Sequence, residues 1–233
     1  MPLPPRLPKA AVTLRQARGH AAIFYLHGFA SSAQSTKARF FADRFREHGV
    51  ALRCPDFNEP DFARLTMTRM LDQLDEELKT ASEPATLIGS SLGGTLAILA
   101  AARFAARVDR LVLFAPAVTS GKAGQHFLPP DRLAEWRRKG AVPFFHYGYG
   151  AERPLNYTFY EDSLRYDAFA THFSQPALVF QGLRDVAVDP RSVELFARDR
   201  PNVVLALLDD DHQLIASLPH TWSDLQRFLG LTD

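Results

Sequence analysis

A serine between two glycines stands in residues 86–97, TLIGSSLGGTLA. With Ser91 at its centre, GSSLG satisfies the pattern Gly-x-Ser-x-Gly, in which a nucleophilic serine occupies a sharp turn from a strand into a helix. The residues two positions away must be small because that turn is strained. Ser90 would have Ile88 and Leu92 in those positions, so the glycines select Ser91. The alternative is that one of the two serines only caps the helix.

A serine hydroxyl becomes a good nucleophile when a histidine takes its proton and an acid holds that histidine. With this serine pattern the acid and then the histidine follow on loops after later strands. QGLRDVAVDP offers Asp185, and LLDDDHQL offers His212. Among rival acids, Asp189 has the pattern of a helix N-cap, and residues 209–211 that of a solvated turn. We therefore expect Asp185 as the acid and His212 as the base.

Acyl transfer also needs N–H donors for the negative oxygen of the tetrahedral intermediate. One expected donor is the N–H of Leu92, the residue after the serine, and the other comes from a loop after an early strand. That strand ends in YLHGF, where Gly28 lets the backbone turn, so the Phe29 N–H is the expected second donor. His27 precedes this glycine and suits bracing of the loop better than proton transfer.

These residues need elements that position them. From Ala21 onward, short apolar runs alternate with helical patterns, which predicts parallel strands joined by crossover helices. The expected strands are Ala21–His27, Val50–Arg53, Ala85–Gly89, Arg110–Ala115, Ala177–Gln181 and Val203–Leu207. The expected helices are Thr36–His48, Phe62–Lys79, Leu92–Phe104, Arg191–Arg198 and Ser217–Leu229. The predicted fold class is α/β, with a mostly parallel central sheet and helices on both of its faces.

The interval from Val118 to Pro176 is far longer than a usual α/β connection and is rich in aromatic residues. We expect one domain over residues 1–233 with a cap insertion over about 118–176 that covers a ligand site. Four aromatic residues of the cap are candidates for an apolar substrate pocket: Phe127, Trp136, Phe144 and Tyr147. The alternative is that most of the aromatic residues form the core of the cap itself.

Composition removes several function classes. The formal net charge is +1 with scattered basic residues, which argues against a nucleic-acid partner. No metal-ligand spacing and no phosphate-binding glycine motif is present, so neither a metal nor a cofactor is expected. The single cysteine, Cys54, fits a reducing, cytoplasmic compartment. No run approaches the roughly twenty apolar residues of a membrane span. The oligomeric state stays open.

The chain resembles the α/β-hydrolase superfamily across nearly everything after the first twenty residues. The resemblance is carried by four motifs in this order: LHGFASS, GSSLGG, QGLRD and DDDH. More narrowly, HGFASSAQSTKARFF, GSSLGGTLA and LNYTFYEDSLRYDA are similar to bacterial YqiA-like esterases and to animal mitochondrial depalmitoylases that also cleave acyl glucuronides. The resemblance implies hydrolysis of a small-molecule carboxylic ester or thioester, with Ser91, Asp185 and His212 as the triad. It departs at the start, where little sequence precedes the first strand, so the initial antiparallel strands must be short or missing.

Two other function classes remain open from the sequence. A serine peptidase or an acyltransferase with the same triad differs only in what attacks or leaves. A non-catalytic protein can keep the same fold as a ligand-binding module. Products formed with competing nucleophiles separate the first class, and ligand binding without ester hydrolysis identifies the second.

Overall fold

The computed structural model describes residues 21–120 and 128–231. In chain order the elements of this part are β1 (Ile23–Leu26), α1 (Thr36–Glu47), β2 (Leu52–Arg53), α2 (Met67–Lys79), β3 (Ala85–Ser90), α3 (Leu92–Arg103), β4 (Val108–Phe114), α4 (Pro130–Lys139), β5 (Ala141–His146), β6 (Ala151–Asn156), α5 (Thr158–Ser163), β7 (Ala177–Gly182), α6 (Pro190–Arg198), β8 (Val203–Leu208) and α7 (Leu218–Leu229). Short 3₁₀ turns lie at Phe62–Arg64 and Ala105–Arg107.

The central sheet has six strands in the order β2-β1-β3-β4-β7-β8, and every described pair in it is parallel. Helices cover both faces, which is why β3 and β7 are buried at every residue. On one face Leu87 packs in a core with α2 and α3, and on the other Ile88 packs with α1 and α7. The predicted fold class is confirmed, and the parallel order brings the carboxyl ends of β1, β3, β7 and β8 to one edge.

One predicted helix is wrong. The expected helix Phe62–Lys79 is interrupted, because Leu65 has an extended conformation and Thr66 begins a new helix. The Thr66 hydroxyl accepts a hydrogen bond from the Arg69 N–H at 3.0 Å, and a threonine cap of this kind competes with continuation of the preceding turn. The other predicted strands and helices are present, with ends displaced by one or two residues.

Residues 118–176, the predicted cap, contain α4, the hairpin β5–β6 and α5 among their described residues. The hairpin is antiparallel, with Ala141 opposite Asn156 and His146 opposite Ala151. Its apolar side chains join the core on the α2–α3 side of the sheet, and the Asp162 carboxylate accepts hydrogen bonds from the Thr68 N–H and hydroxyl at 2.8 and 2.6 Å. This segment therefore packs directly on the sheet domain.

Candidate active site

Ser91 lies at the junction of β3 and α3, with a φ of 53° and a ψ of −115°. A non-glycine residue with positive φ is strained and needs surrounding contacts to hold it. Here the Ser91 N–H donates to the Phe114 carbonyl at 2.9 Å, and the Ser91 carbonyl accepts from the N–H groups of Gly94, Thr95 and Ala117. These bonds fix the turn and hold Ser91 at the carboxyl edge of the sheet.

The two flanking glycines are required by close approach of backbone. A Cβ on Gly89 would collide with the carbonyl of Gly93. A Cβ on Gly93 would collide with the carbonyl oxygen of Leu26 and would lie 2.8 Å from that of His27. The turn at Ser91 thus closes only without a side chain at Gly89, and it fits against the end of β1 only without one at Gly93. These two collisions are the physical basis of the Gly-x-Ser-x-Gly pattern here.

The three residues predicted for a triad come together in the structure. His212 Nε2 lies 3.1 Å from Ser91 Oγ, and His212 Nδ1 lies 2.8 Å from Asp185 Oδ2. Asp185 is on the loop after β7, and His212 is on the loop after β8, so residues up to 121 positions apart form one hydrogen-bonded path. The arrangement can move a proton from the serine hydroxyl to the imidazole.

The Asp185 carboxylate is fully buried but well supplied with donors. Its Oδ1 accepts hydrogen bonds from the N–H groups of Ala187 and Val188, both at 2.8 Å, and its Oδ2 accepts one from Gln181 Nε2 at 2.9 Å. Burial raises the pKa of Asp185, but the hydrogen bonds from His212, Val188 and Gln181 together lower it more. The pKa therefore lies below its usual value, and Asp185 is a carboxylate at neutral pH.

The rival acids have other partners. Asp189 caps α6 by accepting from the Arg191 N–H at 3.0 Å, as the sequence predicted. Asp210 accepts from the N–H groups of Asp211 and Ser217, at 2.8 and 2.9 Å, and so shapes the loop that carries His212. These bonds make the acidic run a loop-forming segment.

The loop after β1 lies beside the serine. A Cβ on Gly28 would stand 3.3 Å from the Ser90 carbonyl oxygen and 3.4 Å from the Ser91 Cβ, so glycine gives the closest fit of this loop to the serine turn. Phe29 follows directly, and Leu92 is the first residue of α3, where helix N–H groups lack intrahelical acceptors. His27 is buried, with Nδ1 donating to the Gly28 carbonyl at 2.9 Å and Nε2 accepting from the Phe57 N–H at 3.0 Å. It braces this loop.

Ser90 is buried, and its surroundings differ from those of Ser91. Burial raises the pKa of Tyr25 to about 12, against the lowering effect of hydrogen bonds with the Ser35 and Ser90 hydroxyls. The Tyr25 phenol therefore stays protonated, and Ser90 acts on it from the α1 side of the sheet. This pairing distinguishes the two adjacent serines in space as the glycines distinguish them in sequence.

The predicted substrate-binding residues lie in different places. Trp136 has 0% of its surface exposed, and its Nε1–H donates to the Leu155 carbonyl at 2.7 Å, so it belongs to the core of the cap. Tyr147 is 76% exposed at the hairpin tip. Phe144 contacts Phe29 edge to face, with ring centroids 5.4 Å apart. It therefore lies next to the loop after β1, which is beside Ser91. Phe127 lies outside the described residues.

Three polar groups near the site were missed by sequence reasoning. Gln181 donates to Asp185; Lys37 is buried and donates to the Gln213 carbonyl at 2.6 Å; Asn58 donates through Nδ2 to the Ser31 carbonyl at 2.8 Å. Only Gln181 carries a sequence signal, since it ends a strand four residues before the acid.

Residues 21–120 and 128–231 contain no group of three or more metal-ligating side chains. No helix in those ranges is long and apolar enough to cross a bilayer.

A family model described as an uncharacterised protein family, UPF0227, matches residues 22–228. The chain belongs to this family. The UPF0227 match covers both the sheet and the cap, as expected from the resemblance to YqiA-like proteins. No curated protein matches the UPF0227 chain in sequence.

Solved structures similar to the UPF0227 chain include alpha/beta hydrolases. Mouse alpha/beta hydrolase domain-containing protein 10 is 24% identical, with a TM-score of 0.73 over 89% of this chain and 90% of that one. Est1E from Butyrivibrio proteoclasticus, bound to ferulic acid, is 18% identical, with a TM-score of 0.76 over 90% and 88%. One of the metagenome-derived lipolytic enzymes LipS and LipT is 19% identical, with a TM-score of 0.72 over 91% of this chain and 94% of that one. These likenesses establish the α/β-hydrolase fold.

Proposed function

We propose that this UPF0227 chain is a serine hydrolase that cleaves a carboxylic ester or thioester bond of a small molecule through an acyl-enzyme. The observation that carries the proposal is the hydrogen-bonded path from Ser91 Oγ to His212 and on to Asp185, at 3.1 and 2.8 Å, beginning at a strained turn. A serine used only as a helix cap needs neither the path nor the strain.

In the first half-reaction His212 Nε2 takes the Ser91 proton while Oγ attacks the substrate carbonyl carbon. Asp185 accepts the Nδ1–H of His212, which leaves Nε2 free of its own hydrogen and able to act as base. The same carboxylate stabilises the imidazolium that forms. Because the pKa of Asp185 lies below its usual value, this negative charge is present at neutral pH.

The negative oxygen of the tetrahedral intermediate is stabilised by the N–H groups of Phe29 and Leu92. The imidazolium then gives its proton to the leaving alcohol or thiol as the carbonyl reforms. In the second half-reaction water, deprotonated by His212, attacks the acyl-Ser91 ester and releases the acid. The serine recovers its proton, so the enzyme is unchanged after each cycle.

Substrate choice belongs to the cap, which we propose as residues 118–176 of a single domain. Phe144 supports this assignment, since its ring contacts Phe29 and also Trp136 at 5.1 Å between centroids. An apolar or aromatic acyl group suits such a wall. The esterase and lipolytic neighbours favour carboxylic esters, and the lone Cys54 favours a reducing, cytoplasmic setting.

A fluorophosphonate probe tests the nucleophile, because it phosphonylates an activated serine irreversibly. We expect the wild-type protein and Ser90→Ala to be labelled and Ser91→Ala to be unlabelled. Labelling that survives Ser91→Ala but disappears in Ser90→Ala overturns the assignment. The two substitutions remove the same atom from adjacent residues, so each controls for the other.

A panel of p-nitrophenyl esters and acyl thioesters of graded chain length then tests the substrate class. Hydrolysis that depends on Ser91 supports the proposal. Transfer of the acyl group to an added amine or alcohol in preference to water favours an acyltransferase, and cleavage of peptides alone favours a peptidase. Ligand binding with no turnover of any activated ester favours a non-catalytic protein.

A further inference from the structure

Lys37 is a buried lysine beside the site, with 6% of its surface exposed. Its Nζ donates to the backbone carbonyl of Gln213 at 2.6 Å, across 176 positions of sequence. Gln213 directly follows His212 on the loop after β8. The ammonium of α1 therefore holds the backbone immediately next to the imidazole that contacts Ser91.

This placement of Lys37 is unfavourable for folding. It is the second residue of α1, where the helix dipole presents partial positive charge and disfavours a cation. Burial disfavours the ammonium as well, and lowers the pKa of Lys37 to about 8. A buried methionine of similar length would carry no charge, so neither the helix dipole nor burial would disfavour it. Packing alone therefore does not account for a lysine at this position.

The loop that Lys37 contacts carries strain of its own. Leu214 has a φ of 52°, which a branched side chain rarely adopts without surrounding support. Within the loop, Asp211 accepts from the Gln213 N–H at 2.8 Å, and the Leu214 N–H donates to the Asp211 carbonyl at 3.2 Å. The bond from Lys37 joins this strained loop to α1 on the neighbouring side of the sheet.

The first turn of α1 also lies near the strand end that carries the nucleophile. Ser35, the N-cap of α1, accepts from the Ala38 N–H at 3.3 Å, and the Ser35 and Ser90 hydroxyls both act on the Tyr25 phenol by lowering its pKa. One helical turn thus donates to the residue after His212 through Lys37 and lies, with Tyr25 between them, near the residue before Ser91. A rigid turn in this position can set the separation between nucleophile and base.

We propose that Lys37 is a positioning residue, which holds the histidine loop (residues 209–216) so that His212 stays within hydrogen-bond distance of Ser91. The inference rests on the proposed hydrolase function. Lys37 does not contact the reacting atoms; it acts through the Gln213 carbonyl. Its charge matters because a charged donor makes a hydrogen bond roughly twice as strong as a neutral one.

The carboxylates that act on the Lys37 ammonium are Asp185 on the loop after β7 and Asp210 and Asp211 on the loop after β8. All three raise the pKa of Lys37, against the larger effect of burial. Above about pH 8 the ammonium loses its proton, which weakens both its bond to Gln213 and its attraction to the three acids. Activity that depends on the tie should decline through the same pH range.

The test compares Lys37→Met with Arg39→Met, which removes the same charge from an exposed residue of the same helix. On an activated ester we expect Lys37→Met to lower kcat about ten- to a hundredfold with KM unchanged, because small misplacements of a catalytic group have effects of this size. The decline of wild-type kcat above pH 8 should be absent in Lys37→Met and retained in Arg39→Met.

Amide hydrogen exchange gives a readout that does not depend on activity. Residues 212–216 should exchange about tenfold faster in Lys37→Met than in the wild type or Arg39→Met, because the loop loses its tie to α1. Equal kcat, pH profile and loop exchange in Lys37→Met and the wild type overturn the inference and leave the hydrolase proposal standing. A wild-type protein that neither labels with fluorophosphonate nor turns over esters refutes the hydrolase proposal, while loop exchange still decides whether Lys37 holds the loop.

Discussion

The buried ammonium of Lys37 predicts a specific dependence of folding stability on pH. Burial lowers the pKa of Lys37 from 10.5 to about 8 in the folded chain. In the unfolded chain the side chain keeps its ordinary pKa, so between about pH 8 and 10.5 the unfolded state binds more protons than the folded state. The free energy of unfolding contributed by this residue therefore rises with pH across that range.

The size of the effect follows from the two pKa values. A difference of this size, at about 1.36 kcal/mol for each pH unit, means that the charged lysine costs the folded state about 3 kcal/mol at neutral pH. Integrating the difference in bound protons from pH 7 to pH 10 shows that about three quarters of that cost is relieved. Lys37→Met never has the cost, so the variant should be more stable at pH 7 and should lose most of its advantage by pH 10.

Urea unfolding followed by circular dichroism at pH 7, 8, 9 and 10 measures the difference between the two proteins. Packing effects of the methionine are constant with pH, so the change in the difference isolates the charge. Arg39→Met is the control, since an exposed guanidinium stays charged over this range and its difference from the wild type should be flat. A flat difference for Lys37→Met, within about 0.5 kcal/mol, would refute the reasoning that burial destabilises the ammonium.

Three further outcomes are expected. Asp185→Asn should lower kcat about 10³–10⁴-fold in ester assays, because the amide cannot fix the histidine tautomer; a loss under tenfold contradicts the assigned acid. Gly93→Ala should abolish fluorophosphonate labelling, since the added Cβ collides with the end of β1. Its control is Gly140→Ala, at a positive φ with open space, which should lower the free energy of unfolding by about 1–2 kcal/mol and keep labelling. Asn58→Ala should lower the unfolding free energy by about 1–3 kcal/mol in urea, because it frees the buried His146 Nε2 that lies 3.0 Å from Asn58 Oδ1; an unchanged midpoint would argue against this bond.

Features set by local chemistry were predictable from the sequence. Buried parallel strands read as continuous apolar runs, so β3 and β7 were found, and a glycine pattern fixed by backbone collisions identified Ser91. Asp185 and His212 followed from chain order at strand ends. The break at Thr66 was missed because an apolar stripe continues through it, while a single threonine cap decides the backbone.

Features set by distant partners were not predictable. Trp136 has the same local pattern whether it lines a pocket or fills the cap, and its bond to Leu155 decides between them. Lys37 stands in a polar helix start, where a lysine is normally exposed, and its burial depends on a loop 176 positions away. The sequence does not predict the pairing of β5 with β6, because the opposed prolines Pro143 and Pro154 locally disfavour strands.

The distribution of strain indicates which edge of the sheet does the chemistry. Among residues 21–120 and 128–231, the non-glycine residues with positive φ are Ala30, Ser91, Ala115 and Leu214. Each lies on a segment that follows a parallel strand, β1, β3, β4 or β8, at the carboxyl edge. Strained residues of this kind persist only where the surrounding structure holds them. Here the support comes from helices on both faces of the sheet and from backbone hydrogen bonds such as that from the Ser91 N–H to the Phe114 carbonyl. The buried charges of Lys37 and Asp185 lie at the same edge, so the costs to folding concentrate where Ser91, His212 and Asp185 meet.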